Sequence, residues 1–185
     1  MHFTLSDLVT DIAQNAAESG ASRVEMEIQQ NGKEFRFIVK DNGKGMSQEE
    51  LRLAIDPFET DGEKHPGRRV GLGIPFLIQT ATQSGGGWDC NSEKNQGTTI
   101  TAWFDMNNVD TPPIGDLSSM FRAIFLFSGP EEVIIKRSLK EGSRQLDYEV
   151  CKSDLIEALG NLEEADSQIL LDRYLRSIED DEEDD

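Results

Sequence analysis

Apolar side chains recur at helical spacing from the start of the chain. Leu5, Leu8, Val9, Ile12 and Ala16 fall on one face of a helix predicted over 4–19, with Asp7, Asp11, Asn15 and Glu18 on an adjoining polar face. Ser19-Gly20 ends it. The period then drops to two. Val24, Met26 and Ile28 alternate with Arg23, Glu25 and Glu27, which predicts a half-buried strand. Asn31-Gly32 is a hairpin turn signal, and Phe35, Phe37 and Val39 mark one face of the return strand. The same parity puts Asp41 on that inward face, at the strand's end.

A glycine-rich loop, Asp41-Asn42-Gly43-Lys44-Gly45-Met46, comes next, and Ser47 to Glu50 has the form of a capping box opening a short helix through Ala54. Residues 56–70 are polar and irregular, the pattern of a mobile loop. Gly71-Leu72-Gly73 leads into a helix over 74–83, with Pro75 in its first turn. After three glycines at 85–87, a second hairpin is predicted over 88–92 and 98–106. Residues 107–116 carry two prolines and read as a linker. Beyond it the pattern predicts a helix (117–127), two strands (131–138 and 144–150) and two helices (152–159 and 163–178). Helix, hairpin, helix, hairpin in this order implies helices layered on one face of a mixed, largely antiparallel sheet.

The chain's 185 residues suffice for one domain with an appendage, divided by this reading into 1–106, a linker at 107–116 and an α+β extension at 117–178. The most apolar stretch, Phe121 to Phe127, is interrupted by Arg122, so no membrane span is expected. No basic segment followed by an apolar run opens the chain, and a cytoplasmic location is the expectation. Cys90 and Cys151 have no metal-binding spacing and read as two buried free thiols. The net charge is -18, and the acidic run from Glu179 to Asp185 is expected to be disordered. The rest of the chain is acidic too, which argues against a nucleic-acid partner. It leaves a nucleotide open, since that needs only a local pocket.

Several residues suit such a pocket. An inward carboxylate at a strand end, Asp41, would accept from the exocyclic amine of adenine and reject the carbonyl of guanine. Gly43 and Gly45 would let a base or sugar approach the backbone. Gly71-Leu72-Gly73, opening a helix, offers free N–H groups to phosphates, with Arg68 and Arg69 just before it. Asn15 has a hard amide oxygen suited to Mg²⁺, and Asp11, one turn earlier, could orient or deprotonate a water.

Together these segments resemble the four motifs of the GHKL superfamily, the Bergerat-fold ATPases of gyrases, heat-shock chaperones, histidine kinases and mismatch-repair proteins. Asp11-Ile-Ala-Gln-Asn15-Ala-Ala-Glu-Ser-Gly-Ala-Ser22 matches the N box, Asp41-Asn-Gly-Lys-Gly-Met46 the G1 box, Gly71-Leu-Gly73 the G2 box and Gly97-Thr98-Thr99 the G3 box, in order over about 100 residues. The resemblance implies an α/β two-layer sandwich with ATP and Mg²⁺ in its cleft and residues 56–70 as the ATP lid. It makes Asn15 the Mg²⁺ ligand, Asp41 the adenine reader and Thr98 a second contact to the base. Gly43, Gly45, Met46, Arg69, Gly71, Leu72 and Gly73 complete the implied nucleotide contacts. One position departs from the hydrolysing members. They carry Glu four residues before the Asn, and here that residue is Asp11, one methylene shorter. Hydrolysis is therefore an open question where binding is not.

More loosely, the chain is similar to small stand-alone ATP-binding proteins of anaerobic bacteria whose genes tend to accompany iron hydrogenase genes, through Asp11-Ile-Ala-Gln-Asn15, Asp56-Pro-Phe-Glu-Thr60, Arg68-Arg-Val-Gly-Leu-Gly-Ile-Pro75 and Pro113-Ile-Gly-Asp116. That similarity assigns no activity. The expected role is an ATP-dependent regulatory module acting on an unidentified protein partner, with the oligomeric state open. Phosphorylation of a separate protein, or slow hydrolysis with Asp11 as base, are the alternatives. Autophosphorylation is not expected, because no helical dimerisation segment precedes the first helix.

Overall fold

The computed structural model describes residues 3–56 and 73–180. The 107–116 boundary does not interrupt the sheet. Strands β1 (Arg23–Asn31), β2 (Glu34–Asp41), β3 (Gly87–Glu93), β4 (Gly97–Asp105), β5 (Glu132–Glu141) and β6 (Arg144–Cys151) form one six-stranded sheet in the order β3-β4-β2-β1-β5-β6. Only β1 and β5 run parallel, and every other pair is antiparallel. Helices α1 (Leu5–Glu18), α2 (Gln48–Ile55), α3 (Gly73–Gln83), α4 (Leu117–Phe125), α5 (Lys152–Leu159) and α6 (Ala165–Glu179) complete the described elements. The architecture is the expected two-layer α/β sandwich with a mixed, largely antiparallel sheet.

Local chemistry explains the element boundaries. Thr4 caps α1 through a reciprocal capping box with Asp7, and Ser47 caps α2 in the same way with Glu50. Asn31 turns the β1–β2 hairpin by accepting from the N–H groups of Lys33 and Glu34 on its own Oδ1. The proline-containing 107–116 segment is held against α1. The N–H groups of Leu5 and Ser6, orphans of the first helical turn, donate to the carbonyls of Pro113 and Ile114 at 2.9 and 2.8 Å.

The helix-covered face of the sheet reads as cross-strand rows. The second row is Cys90, Ile100, Val39, Met26, Ile135 and Val150, and the third is Trp88, Ala102, Phe37, Ile28, Arg137 and Tyr148. Leu8, Ile12 and Ala16 of α1, Leu77 of α3, Phe121 and Phe125 of α4, and Leu171 and Leu175 of α6 join them in one continuous core. Both cysteines are free and half-buried, and burial pushes the Cys90 thiol up to about 11. Among the described residues no helix is long and apolar enough to cross a membrane.

One boundary needs correction. Glu179, read from charge as the first residue of a disordered acidic run, is the last residue of α6 and is buried. A count of like charges does not register that this carboxylate has a buried cation to meet, Arg137 at 3.0 Å.

Candidate functional site

The first row of the covered face differs from those behind it. It runs Ser92, Thr98, Asp41, Val24, Val133, so polar side chains occupy three neighbouring strands at one corner of the sheet. Asp41 stands directly opposite Thr98 and is only 7% exposed. Its Oδ1 accepts from the N–H of Gly43 at 2.8 Å and lies 3.1 Å from the Ser19 hydroxyl. Burial holds the Asp41 carboxyl above its ordinary range, and the donors at Gly43, Ser19 and Thr98 pull it partway back. A buried carboxylate that costs charge desolvation and sits at a sheet corner is an acceptor suited to a ligand.

The loop after Asp41 is stitched on both sides. The Lys44 N–H donates to the Ser19 carbonyl at 3.1 Å, and the Lys44 carbonyl accepts from Asn95 N–H at 2.7 Å. The Met46 N–H donates to Ser92 Oγ at 2.8 Å. These contacts explain the glycines. A Cβ on Gly43 would stand 1.9 Å from Ser19 Oγ, and one on Gly45 1.9 Å from the Glu93 carbonyl oxygen. Gly45 also has φ +56°. The space left by these missing side chains is filled by the protein itself, bringing α1, the loop and the β3–β4 turn together. Gly97 is constrained likewise, with φ +107° and a position where a Cβ would meet the Asp41 carbonyl oxygen at 2.0 Å. Gly97→Ala is therefore expected to lower the melting temperature by several degrees, a loss of about 2 kcal/mol or more from strain and displaced backbone. Thermal melts followed by circular dichroism check this; an unchanged melting temperature would mean that the turn relaxes freely.

Above this corner lie α1 and the start of α3. Asp11 and Asn15, one turn apart, are both exposed on α1. A Cβ built on Gly73 would come within 3.3 Å of Asn15 Nδ2 and 3.8 Å of Asp11 Cβ, so α3 opens directly against both. Although Asp11 is exposed, the partial loss of its hydration, and then the neighbouring Asp7, raise its carboxyl. Of the sequence-predicted residues, Asp41, Gly43, Gly45, Met46 and Thr98 meet at the sheet corner, and Asp11, Asn15 and Gly73 meet on the helices. Arg69, Gly71 and Leu72, with Arg68 and all of the 56–70 segment except Asp56, lie outside the described residues.

Two side chains join the corner that the sequence reading passed over. Ser19 was read as a helix end and within the N box match, with no contact assigned to it, although it stands one turn beyond Asn15. Ser92 lies on β3 at the parity that brings it beside Thr98, with their hydroxyl oxygens 2.8 Å apart. Counting by twos back from the hairpin turn finds Ser92; nothing local in sequence marks Ser19 as an Asp41 partner.

The family model for histidine kinase-, DNA gyrase B-, and HSP90-like ATPases matches residues 3–108. Among curated proteins, the chain is 42% identical over 57 residues to the DNA mismatch repair protein MutL of Thermus aquaticus, covering 31% of this chain and 10% of that protein. It is 45% identical over 53 residues to MutL of Kosmotoga olearia, covering 29% of this chain and 9% of that protein. The chain thus spans about a tenth of the length of the curated relatives it matches.

Proposed function

The chain belongs to the histidine kinase-, DNA gyrase B-, and HSP90-like ATPase family, which supports ATP binding, and on that premise we propose that it is a Mg²⁺-ATP-binding regulatory module. The observation that carries the reading is the corner where buried Asp41 faces Thr98, beneath the helix bearing Asn15. Asp41 accepts from the 6-amino group of adenine, a contact that guanine's carbonyl cannot return. The start of α3 at Gly73, close to Asn15 and Asp11, brings a helix N-terminus to the side where phosphates would lie. Among the described residues no group of three His, Cys, Asp or Glu could hold a metal ion. Mg²⁺ would arrive with the nucleotide, since this ion keeps waters and phosphates as most of its ligands. Asn15 would contribute one amide oxygen, and the bound ion would neutralise phosphate charge. The curated relatives act in DNA mismatch repair, but the matched segment is short and this chain's net charge of -18 opposes a phosphate backbone. A protein is the partner this surface suits.

Calorimetric titration with ATP, ADP and GTP, each with and without Mg²⁺, tests the reading. ATP binding that strengthens with Mg²⁺, and loses that gain in Asn15→Ala, is the expected result. No nucleotide binding by a folded sample would overturn it.

A second reading, slow hydrolysis, draws on the raised Asp11 carboxyl beside Gly73. A carboxylate one methylene short of its task loses much of its rate. Phosphate release is accordingly expected below about 1 s⁻¹, the low end of ordinary enzymes. Whatever release occurs should vanish in Asp11→Asn while ATP binding persists. Faster, Asp11-dependent release would favour an ATPase over a regulatory module.

A further inference from the structure

We propose that the outer edge of β6 docks an extended protein segment of alternating apolar and basic residues, which adds a strand to the sheet beneath the flank of α6. The docking needs no nucleotide, so it stands or falls apart from the ATP site.

The sheet ends at β6, and among the described residues no strand lies on its outer side. From Gln145 to Val150 the strand carries neither proline nor glycine, so its outward N–H and C=O groups form a regular template for another chain. Its side chains divide by parity. Leu146 and Tyr148 lie on the helix-covered face and are half-buried, while Gln145, Asp147 and Glu149 lie on the other face and are exposed.

Helix α6 overhangs this edge. Ser167, Leu171 and Leu175 belong to its buried stripe. Asp172 and Arg176 follow the stripe by one residue, and they pair with Arg122 and Asp116 on the side of α4. Leu170 and Tyr174 precede it by one residue, a turn of about 100° the other way, so they lie on the flank turned from α4. That flank looks over β6. Burial first, then Glu179, raise the Tyr148 phenol, and Tyr174 adds to the rise as a neighbour. Leu170 is 47% and Tyr174 42% exposed, so apolar surface is left open where the sheet stops.

The two faces of the edge describe one partner. An added strand places every second side chain under α6, beside Tyr148, Leu170 and Tyr174, where apolar residues suit. The side chains between them stand beside Asp147 and Glu149, where Lys or Arg suit. Glu149 has Lys136 at 3.2 Å on its inner side, and Asp147 has no cation among the described residues. The same carboxylates disfavour a second copy of this chain. When β6 meets itself across a two-fold axis, the two registers of fullest overlap set Asp147 opposite Asp147 or opposite Glu149, like charges on one face.

The probe is a fluorescein-labelled peptide of alternating valine and lysine, matched in length to β6, titrated against the whole chain by fluorescence polarisation at physiological salt. Saturable binding is expected. Asp147→Lys should weaken it about three- to tenfold, and the paired change Leu170→Ser with Tyr174→Ser about tenfold. Two controls should leave it unchanged. Asp89→Lys makes the same charge change on β3, at the far edge of the sheet, and Ile169→Ser removes the most exposed apolar side chain of α6. Two further peptides test the ladder on wild-type protein, where no variant has to fold. Alternate N–H groups of a strand point to opposite edges, so N-methylation of the valines alone blocks one edge and of the lysines alone the other. One of the two peptides should lose about tenfold or more in affinity while the other keeps it. Equal behaviour of the two methylated peptides, or equal weakening by Asp89→Lys and Asp147→Lys, would mean diffuse attraction to an acidic protein and overturns the proposal. So does unchanged affinity in the paired serine variant, or no binding by folded wild type.

Discussion

Asp41→Asn is expected to weaken ATP binding by about 100-fold or more while raising the melting temperature of the nucleotide-free protein at pH 7. The two effects have one cause. Asp41 is an ionised acceptor in a site only 7% exposed, and burial raises its carboxyl against the pull of Gly43, Ser19 and Thr98. A group whose folded-state value is raised favours the folded protein while protonated. Its contribution is present below the unfolded carboxylate value of about 3.9 and is lost as pH rises through the higher folded value. At pH 7 the native protein therefore carries the cost of a buried charge. Asparagine removes that charge, and its amide oxygen can still accept from the Gly43 N–H. The substituted protein should thus melt higher at pH 7, and its advantage should shrink as pH falls toward 4. Binding moves the other way. The new amide N–H₂ would face the adenine amine, donor against donor, and sites built on such a bond discriminate by several decades when it is lost. GTP, with an acceptor at that position, should lose nothing. Melts between pH 4 and 8, paired with titrations of ATP and GTP, check both halves. Unchanged ATP affinity would remove Asp41 from base recognition, and a lower melting temperature at pH 7 would mean that its hydrogen bonds outweigh its desolvation.

This carboxylate was legible in the sequence because strand parity is a local signal. Phe35, Phe37 and Val39 fix the inward face, and Asp41 falls on it two residues later. Thr98 was reached only through the family resemblance, although it stands at the parity of Ile100 and Ala102 at the start of its own strand. The glycines were found from the motif pattern, without the neighbours that crowd them. What a missing Cβ leaves room for depends on which segment folds over it, and only the folded chain puts Ser19 against Gly43 and Glu93 against Gly45. The parallel pairing of β5 with β1 was likewise hidden. Val24 meets Val133 across more than a hundred residues, and hydrophobic period carries no information about which distant strand is the neighbour. Hence 117–178 read as an extension, although its first strand continues the sheet that holds the site. Arg137 left a visible trace, a cation at the parity of Val133, Ile135 and Leu139, yet an alternation broken once names no partner.

That cation carries the largest stability effect expected of any single change here. Removing its carboxylate with Glu179→Ala should cost about 3–5 kcal/mol, the range for a buried charge stripped of its counter-ion. Arg137 is 2% exposed and donates from each of its three nitrogens: Nε to Glu179 Oε1 at 3.0 Å, Nη1 to the Ser138 carbonyl at 2.8 Å and Nη2 to Gln30 Oε1 at 2.7 Å. The Tyr148 hydroxyl donates to the same Glu179 oxygen, and Arg144 donates to the Glu179 carbonyl. Burial first, and then Glu179, push the Tyr148 phenol well above its ordinary value, so it remains a donor. The end of α6 is thereby fastened to β5 and β6 at the polar corner of the sheet diagonal to Asp41. In Glu179→Ala the guanidinium stays buried with its charge uncompensated and the phenol loses its acceptor. Removing both charges is a different case: Arg137→Met combined with Glu179→Leu leaves no orphaned ion and should recover most of the loss. Urea denaturation of the two single variants and the double variant measures this, with strong non-additivity as the expected signature. The site should be spared. Arg137 pairs with Ile28, four residues along β1 from the Val24 partner of Asp41, or about 13 Å at ordinary strand rise. ATP affinity in Glu179→Ala, measured where the variant is still folded, should match wild type. A loss confined to stability would make this corner a fastener of the sheet alone. A parallel loss of ATP affinity would show that α6 transmits its docking to the base-reading row, and would give a regulatory partner a route to the nucleotide through the C-terminal helix.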